Sequence, residues 1–191
     1  PCFVLDLTAT PKKESNIISY VDAVQLKNEH MVKLPVIVYN RDSQSEVLID
    51  AIDLRNKLEE IADAEYAKTG KYIRPIALFQ AQPKGKEDAT TFEKLRDKLV
   101  DAGIPAEQIA IRTADVNELK NIDLMSPDCP IRYIITVNAL KEGWDCPFAY
   151  ILASLANKTS QVDVEQILGR ILRLPHTSQH TQSALNMSYV L

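Results

Sequence analysis

Residues 34–79, LPVIVYNRDSQSEVLIDAIDLRNKLEEIADAEYAKTGKYIRPIALF, contain two short apolar runs on either side of one long amphipathic stretch. The runs Leu34–Tyr39 and Ile76–Phe79 lack a helical period and are typical of strands that are buried on both faces. Between them, Val47–Lys68 carries apolar residues at helical spacing, and Gly70 follows as a stop signal. A strand, a helix and a second strand in this order predict a right-handed crossover between parallel strands.

The same alternation continues along the chain. Further strands are predicted at Cys2–Leu7, Ile109–Arg112, Tyr133–Val137 and Tyr150–Ser154, and further helices at Thr91–Ala102, around Val116–Lys120 and at Val164–Leu172. Repeated strand-helix units predict an α/β fold with a mostly parallel sheet flanked by helices, in three layers.

The predicted organisation has three parts. The α/β domain is expected to span residues 34–191. A connector that can hold a short helix precedes it at residues 12–33, and residues 1–11 are expected to end another domain. A chain that opens on Pro1 and runs at once into an apolar strand suggests a piece of a longer polypeptide.

Composition narrows the possible functions. The formal net charge of −4 argues against nucleic-acid binding by bulk electrostatics, so any such contact must be local. Three cysteines and three histidines form no metal-ligand spacing and no disulfide framework, which predicts no metal site and a reducing, cytoplasmic compartment. No apolar run approaches the roughly 18 residues that a membrane span needs.

The sharpest motif is Gln166-Ile-Leu-Gly-Arg-Ile-Leu-Arg173, which fits Q-x-x-G-R-x-x-R. On a helix, Gln166, Arg170 and Arg173 share one face, and Gly169 permits another backbone to approach closely. Two guanidiniums on one face favour a shared anion, such as the γ-phosphate of a nucleotide. The motif therefore predicts an arginine finger, and the alternative is a solvated helix face.

A second motif follows the predicted strand at Tyr133–Val137. Thr136 and Asn138 can reach a phosphate or a base edge, Gly143 permits close backbone approach, and Asp145 can orient an arginine or bind a ribose hydroxyl. Open parallel sheets place ligands beyond the carboxyl ends of their strands, where these residues are expected to lie. The alternative is an ordinary turn after a strand.

Together these motifs resemble a known family. The segment 143–145 and the Gln166–Arg173 motif look like motifs V and VI of superfamily 2 helicases, and Thr8-Ala-Thr-Pro11 looks like motif III. The wording of residues 138–147 and 166–175 is similar to the restriction subunit of type III restriction-modification enzymes in particular. Leu172 and Val137 depart from the pattern, since many helicases have Gly and Thr there.

The resemblance implies a role for each motif residue. It implies a RecA-like second motor lobe in which Arg170 and Arg173 act on the γ-phosphate and Gln166, Gly143, Asp145 and Gly169 line the nucleotide cleft. On the nucleic-acid and coupling side, the implied residues are Thr8, Ala9, Thr10, Thr136 and Asn138.

The resemblance also implies partners that lie outside this chain. ATP and Mg²⁺ would be bound mainly by a first RecA-like lobe, because no G-x-x-x-x-G-K-[ST] loop occurs here. The implied partners are double-stranded DNA, that first lobe and a nuclease domain of the same polypeptide, and a modification (methyltransferase) subunit.

Two other function classes remain open. One is a non-catalytic RecA-like module that binds nucleotide or docks a protein, since fold does not determine function. The other is a self-contained oxidoreductase, which the absence of any G-x-G-x-x-G after a strand disfavours.

The histidines His30, His176 and His180 are expected in exposed loops, and the charges of Leu54–Lys68 on a solvated face.

Overall fold

The chain forms one parallel sheet. The computed structural model describes residues 14, 16–82, 91–137, 145–155, 168–169 and 171–191. The six strands within these residues are β1 (Val36–Val38), β2 (Ile76–Gln80), β3 (Ile109–Arg112), β4 (Tyr133–Thr136), β5 (Ala149–Ser154) and β6 (Ser188–Val190). Their order is β1-β6-β5-β2-β4-β3, and every neighbouring pair is parallel.

The central strands explain why the sheet is covered on both sides. Every residue of β2 and β4 is buried, and only the last residue of β5 is partly exposed. Successive side chains of a strand point to opposite faces, so both faces must be packed. The predicted α/β fold, with a parallel sheet between flanking layers, is confirmed.

Three helices lie wholly within the described residues, α1 (Ala23–Asn28), α2 (Gln44–Thr69) and α3 (Phe92–Asp101), and Leu168, Gly169 and Ile171 are also helical. Helix α2 begins at a capping box in which the Ser43 hydroxyl accepts from the Glu46 amide, and it ends at Gly70, whose φ of 70° favours glycine. Its residues Ala51, Leu58 and Ala62 join the hydrophobic core. Short 3₁₀ turns occupy Ala106–Gln108, Pro175–Thr177 and Ser183–Asn186.

Not all of α2's charged side chains are solvated, so that prediction was wrong for two of them. Arg55 is buried, with its Nε 3.4 Å from the Pro75 carbonyl and its guanidinium over the Tyr133 ring. Glu65 is also buried, and it accepts hydrogen bonds from Thr181. Alternating charge signs cannot reveal this, because burial depends on segments distant in the sequence.

The helix predicted around Val116–Lys120 is absent. The backbone instead turns back on β3, with a bridge between Arg112 and Asn117. The Thr113 hydroxyl accepts from the Val116 amide and the Glu118 carboxylate accepts from the Ile111 amide. Such side-chain to backbone hydrogen bonds compete with helix formation, and here they prevail.

A parallel sheet has two chemically different edges. The carboxyl edge carries the strand ends at Gln80, Thr136 and Ser154, and the amino edge carries the segments that enter the strands, such as residues 71–75 before β2 and 145–148 before β5. A strand of six residues such as β5 separates the edges by roughly 20 Å. Residues on opposite edges therefore cannot form one site.

Candidate functional site

Asp145 and Arg173 contact each other at the amino edge of the sheet. They are 28 residues apart in sequence, and Arg173 Nη1 lies 2.5 Å from Asp145 Oδ2. The Arg173 side chain is 62% exposed and that of Asp145 is 38% exposed. The pair is therefore open to solvent and to a ligand.

The backbone around Arg173 is held by the connector that precedes β1. Arg173 forms an antiparallel bridge with Val32, and the Leu174 amide donates to the Met31 carbonyl at 3.0 Å. The Lys33 amide donates to the Leu172 carbonyl at 2.5 Å. Arg173 therefore lies in an extended segment whose backbone is hydrogen-bonded to the connector both before and after it.

This placement corrects the prediction of one shared helical face. Leu168, Gly169 and Ile171 are helical, but Leu172 is not, and Arg173 lies in the bridge beyond them. The predicted helix at Val164–Leu172 is therefore at least one residue too long. The backbone of residues 172–174 bonds to the connector instead of continuing the helix. Helical spacing in the sequence cannot predict this, because the connector is about 140 residues away.

Asp145 also lies at the opposite edge from the one predicted. Strands β4 and β5 are both parallel to β2, so the chain between them must return from the carboxyl edge to the amino edge. Asp145 stands four residues before Ala149, at the end of that return. Thr136, in contrast, ends β4 at the carboxyl edge, and it is only 1% exposed.

The structure separates two residues that the sequence treats as one group. Asp145 belongs with Arg173, which is the only described residue with which it forms a salt bridge, whereas Thr136 lies at the far side of the sheet. Of the nucleotide-cleft residues, Gly169 is exposed, and an added Cβ there meets no atom of the described residues within 4 Å. Within those residues, the close backbone approach predicted at Gly169 is absent.

Seven predicted site residues lie outside the described residues. These are Thr8, Ala9, Thr10, Asn138, Gly143, Gln166 and Arg170. Their roles stay predictions.

The Asp145–Arg173 pair can bind an anion. A guanidinium carries five N–H donors, more than one carboxylate accepts, so Arg173 can hold Asp145 and a phosphate oxygen together. The carboxylate restricts the orientation of the guanidinium before any ligand arrives. The donor set at this edge therefore fits a phosphate group.

Comparison with protein-family models and with curated proteins gives no match for this sequence. The function must therefore be argued from the site itself.

In the part of the chain that the structure describes, no group of three or more His, Cys, Asp or Glu side chains is arranged to hold a metal ion. Also within that part, no helix combines the length and the apolar character needed to cross a bilayer.

Sequence reasoning missed two buried cations at this edge. Lys33 is completely buried, and its Nζ donates to the carbonyls of Pro147 and Ala149, at 2.8 Å each. Arg74 is 1% exposed and donates to the carbonyls of Leu124, Ser126 and Ile131. The available signal was a single charge within an apolar run, Val32-Lys33-Leu34 and Ile73-Arg74-Pro75.

One histidine near this edge is buried rather than exposed, which corrects the sequence prediction. The side chain of His180 is 0% exposed, and its Nδ1 lies 3.8 Å from Glu65 Oε1. Neither ring nitrogen has a hydrogen-bond partner among the described residues. Burial lowers the pKa of His180 to about 4, although the nearby Glu65 carboxylate opposes this shift.

The pKa of His180 predicts a loss of stability in mild acid. Its folded-state pKa of about 4 is below the ordinary value of 6.5, so between these pH values the unfolded chain takes up a proton that the folded chain does not. We expect the free energy of unfolding to fall by about 1–3 kcal/mol as the pH drops from 6.5 towards 4.

Denaturant-induced unfolding of the wild type and of His180→Leu at pH values between 7 and 5 measures this effect. The substitution should flatten the pH dependence, whereas His30→Gln, at an exposed position, should leave it unchanged. Equal slopes for the wild type and His180→Leu would rule out His180 as the source.

Proposed function

We propose that this chain is the second motor lobe of an ATP-dependent DNA translocase, most similar to the restriction subunit of type III restriction-modification enzymes. The observation that carries the proposal is Arg173, whose side chain is 62% exposed although it is paired with Asp145 and its backbone is bridged to Val32. An arginine that only improves solubility needs neither constraint. An arginine that must meet a phosphate in one geometry needs both.

The proposed role of Arg173 is to stabilise charge during phosphoryl transfer. As the bond to the leaving group loosens, negative charge grows on the transferred phosphoryl, and an adjacent guanidinium neutralises it. Asp145 keeps the guanidinium oriented, so that little reorganisation is needed at that moment. Both residues are on the amino edge, which would then face the first lobe, where ATP and Mg²⁺ are bound.

The proposed DNA contacts belong to a different surface. The resemblance assigns them to Thr136, Asn138 and residues 8–10, and of these only Thr136 is described, as a buried side chain at the carboxyl edge. Because Thr136 is buried, it cannot itself contact DNA, and a DNA-facing carboxyl edge would depend on Asn138 and residues 8–10, which lie outside the described residues. The recognition site, the nuclease and the modification subunit would lie elsewhere.

A comparison of the isolated chain with its parent polypeptide tests this proposal. The parent should hydrolyse ATP with stimulation by double-stranded DNA, and residues 1–191 alone should not, because they contain no phosphate-cradling G-x-x-x-x-G-K-[ST] loop. Phosphate release with and without DNA measures both. DNA-stimulated turnover by the 191-residue chain would contradict the assignment of half an ATP site. A parent that binds nucleotide without turnover would favour the non-catalytic module.

A further inference from the structure

Lys33 occupies an unusual position for a lysine. It is completely buried, and its Nζ lies 4.2 Å from the centre of the Tyr150 ring as well as within hydrogen-bonding distance of two carbonyl oxygens. Burying an ammonium group is costly unless such partners compensate. Burial lowers the pKa of Lys33 to about 7, partly opposed by Cys146 and Asp145. Without the ammonium group, the carbonyls of Pro147 and Ala149 would lose this donor.

The two carbonyls that Lys33 holds lie directly after Asp145. Pro147 and Ala149 are two and four residues beyond it, and their oxygens both accept from Nζ at 2.8 Å. The lysine therefore ties down the segment through which the return from β4 enters β5. Any shift of this segment moves the Asp145 carboxylate.

The backbone of the same residue holds the other member of the pair. The Lys33 amide donates to the Leu172 carbonyl at 2.5 Å, directly before Arg173, and the neighbouring Val32 is bridged to Arg173 itself. The Lys33 carbonyl accepts from the Ser188 hydroxyl at 3.4 Å, at the start of β6. Lys33 thus contacts both the segment that carries Asp145 and the segment that carries Arg173.

We propose that Lys33 is a positioning residue that sets the geometry of the Asp145–Arg173 pair, through its Nζ for the Asp145 segment and through its backbone for the Arg173 segment. Its effect on turnover rests on the proposed function, whereas its effect on the two segments does not. Lys33 is fully buried and therefore would not contact a ligand itself. It acts only through the orientation of Arg173.

The test is a double-mutant cycle in the parent polypeptide. Lys33→Met retains the volume and the packing of the side chain but removes the donors that hold residues 147 and 149. We expect kcat for ATP to fall about 10- to 100-fold with little change in KM, because a misplaced arginine costs transition-state stabilisation. On an Arg173→Ala background the same substitution should lower kcat no further, because the group that Lys33 orients is then absent.

Lys71→Met is the matched control. Lys71 also lies at the amino edge, but its Nζ donates to Ser178 rather than to the segments around the pair. This variant should leave kcat unchanged. If Lys33→Met fails to fold, Lys33→Gln, which keeps two N–H donors on a shorter side chain, serves in its place with a smaller expected loss of kcat, and Lys33→Arg should recover part of the lost rate.

Hydrogen exchange separates failure of this proposal from failure of the proposed function. In Lys33→Met, and not in Lys71→Met, the amides of residues 145, 146, 148 and 149 should exchange faster, whatever the reaction, whereas those of residues 172–174 should change little, because the backbone bonds of residues 31–33 remain. Full turnover by a folded Lys33→Met protein, or additive effects with Arg173→Ala, overturns the positioning role. If Arg173→Ala itself retains turnover, the motor-lobe proposal fails, and unchanged exchange in Lys33→Met then overturns the positioning role as well.

Discussion

Arg173→Ala in the parent polypeptide is expected to lower ATP turnover by about 10³- to 10⁵-fold, or about 4–7 kcal/mol of transition-state stabilisation. In the proposed role the guanidinium would act on charge that develops late, so nucleotide binding in the ground state should change little. The fold should also persist. Both side chains of the Asp145–Arg173 pair are substantially exposed, and such pairs contribute only about 0.2–1 kcal/mol to stability.

Arg96→Ala provides the matched control. Arg96 forms an ion pair with Glu118 at 3.0 Å, with side-chain exposures of 35% and 37%. It therefore shares the charge, the pairing and much of the exposure of Arg173, but it lies on α3. ATP turnover and melting temperature measured with saturating DNA should show a large rate loss for Arg173→Ala alone. Near-normal turnover would mean that Arg173 is only a solvated ion pair, and lost turnover with a large drop in melting temperature would mean that it is structural.

Arg74→Met is expected to have the largest effect on stability, about 3–5 kcal/mol. The Arg74 guanidinium donates to three backbone carbonyls, with Nε at 2.9 Å from Ile131, Nη1 at 2.7 Å from Ser126 and Nη2 at 2.5 Å from Leu124. It also lies 5.9 Å from the centre of the Phe148 ring. Methionine fills similar space but leaves these carbonyls without a donor, so the link between β2 and the chain that enters β4 is lost.

Chemical denaturation of Arg74→Met and of Arg96→Met measures this difference. Substitution of Arg96, which is partly exposed, should change the free energy of unfolding by about 0.5 kcal/mol or less. Stability of Arg74→Met within that same range would show that the cation contributes no more than an apolar side chain in this site. The comparison with Arg173→Ala is also informative, because one arginine is expected to affect folding and the other turnover.

Local sequence was sufficient to predict most of the fold. The runs at Leu34–Tyr39, Ile76–Phe79 and Ile109–Arg112 are strands in the structure, and Val47–Lys68 lies within α2. Burial on both faces demands continuous apolar residues, and a helix against a sheet demands apolar residues at helical spacing. Both requirements concern residues that are close together in the chain, so the sequence alone shows them. Strand β6 was missed because it begins with Ser188 and lacks a continuous apolar run like that at Leu34–Tyr39.

The site depended on contacts that no local pattern records. Asp145 and Arg173 were each singled out from the sequence, but Asp145 was expected at the carboxyl edge and Arg173 on a helix. The parallel topology carries Asp145 to the amino edge, and the bridge to Val32 draws Arg173 out of the helix. The sequence places Lys33 at the end of a connector and His180 in an exposed loop, and in the structure both are buried.

The sequence by itself determined most of the segments that become strands and helices, because hydrophobic spacing acts over a few residues. Only the tertiary structure decided which edge each polar residue occupies and which charges are buried. The distances involved explain the division: Lys33 meets Ala149 across 116 positions, and Arg74 meets Ile131 across 57. Whether a lysine is solvated or enclosed depends on what the rest of the chain packs against it, and that is settled only when the sheet is assembled.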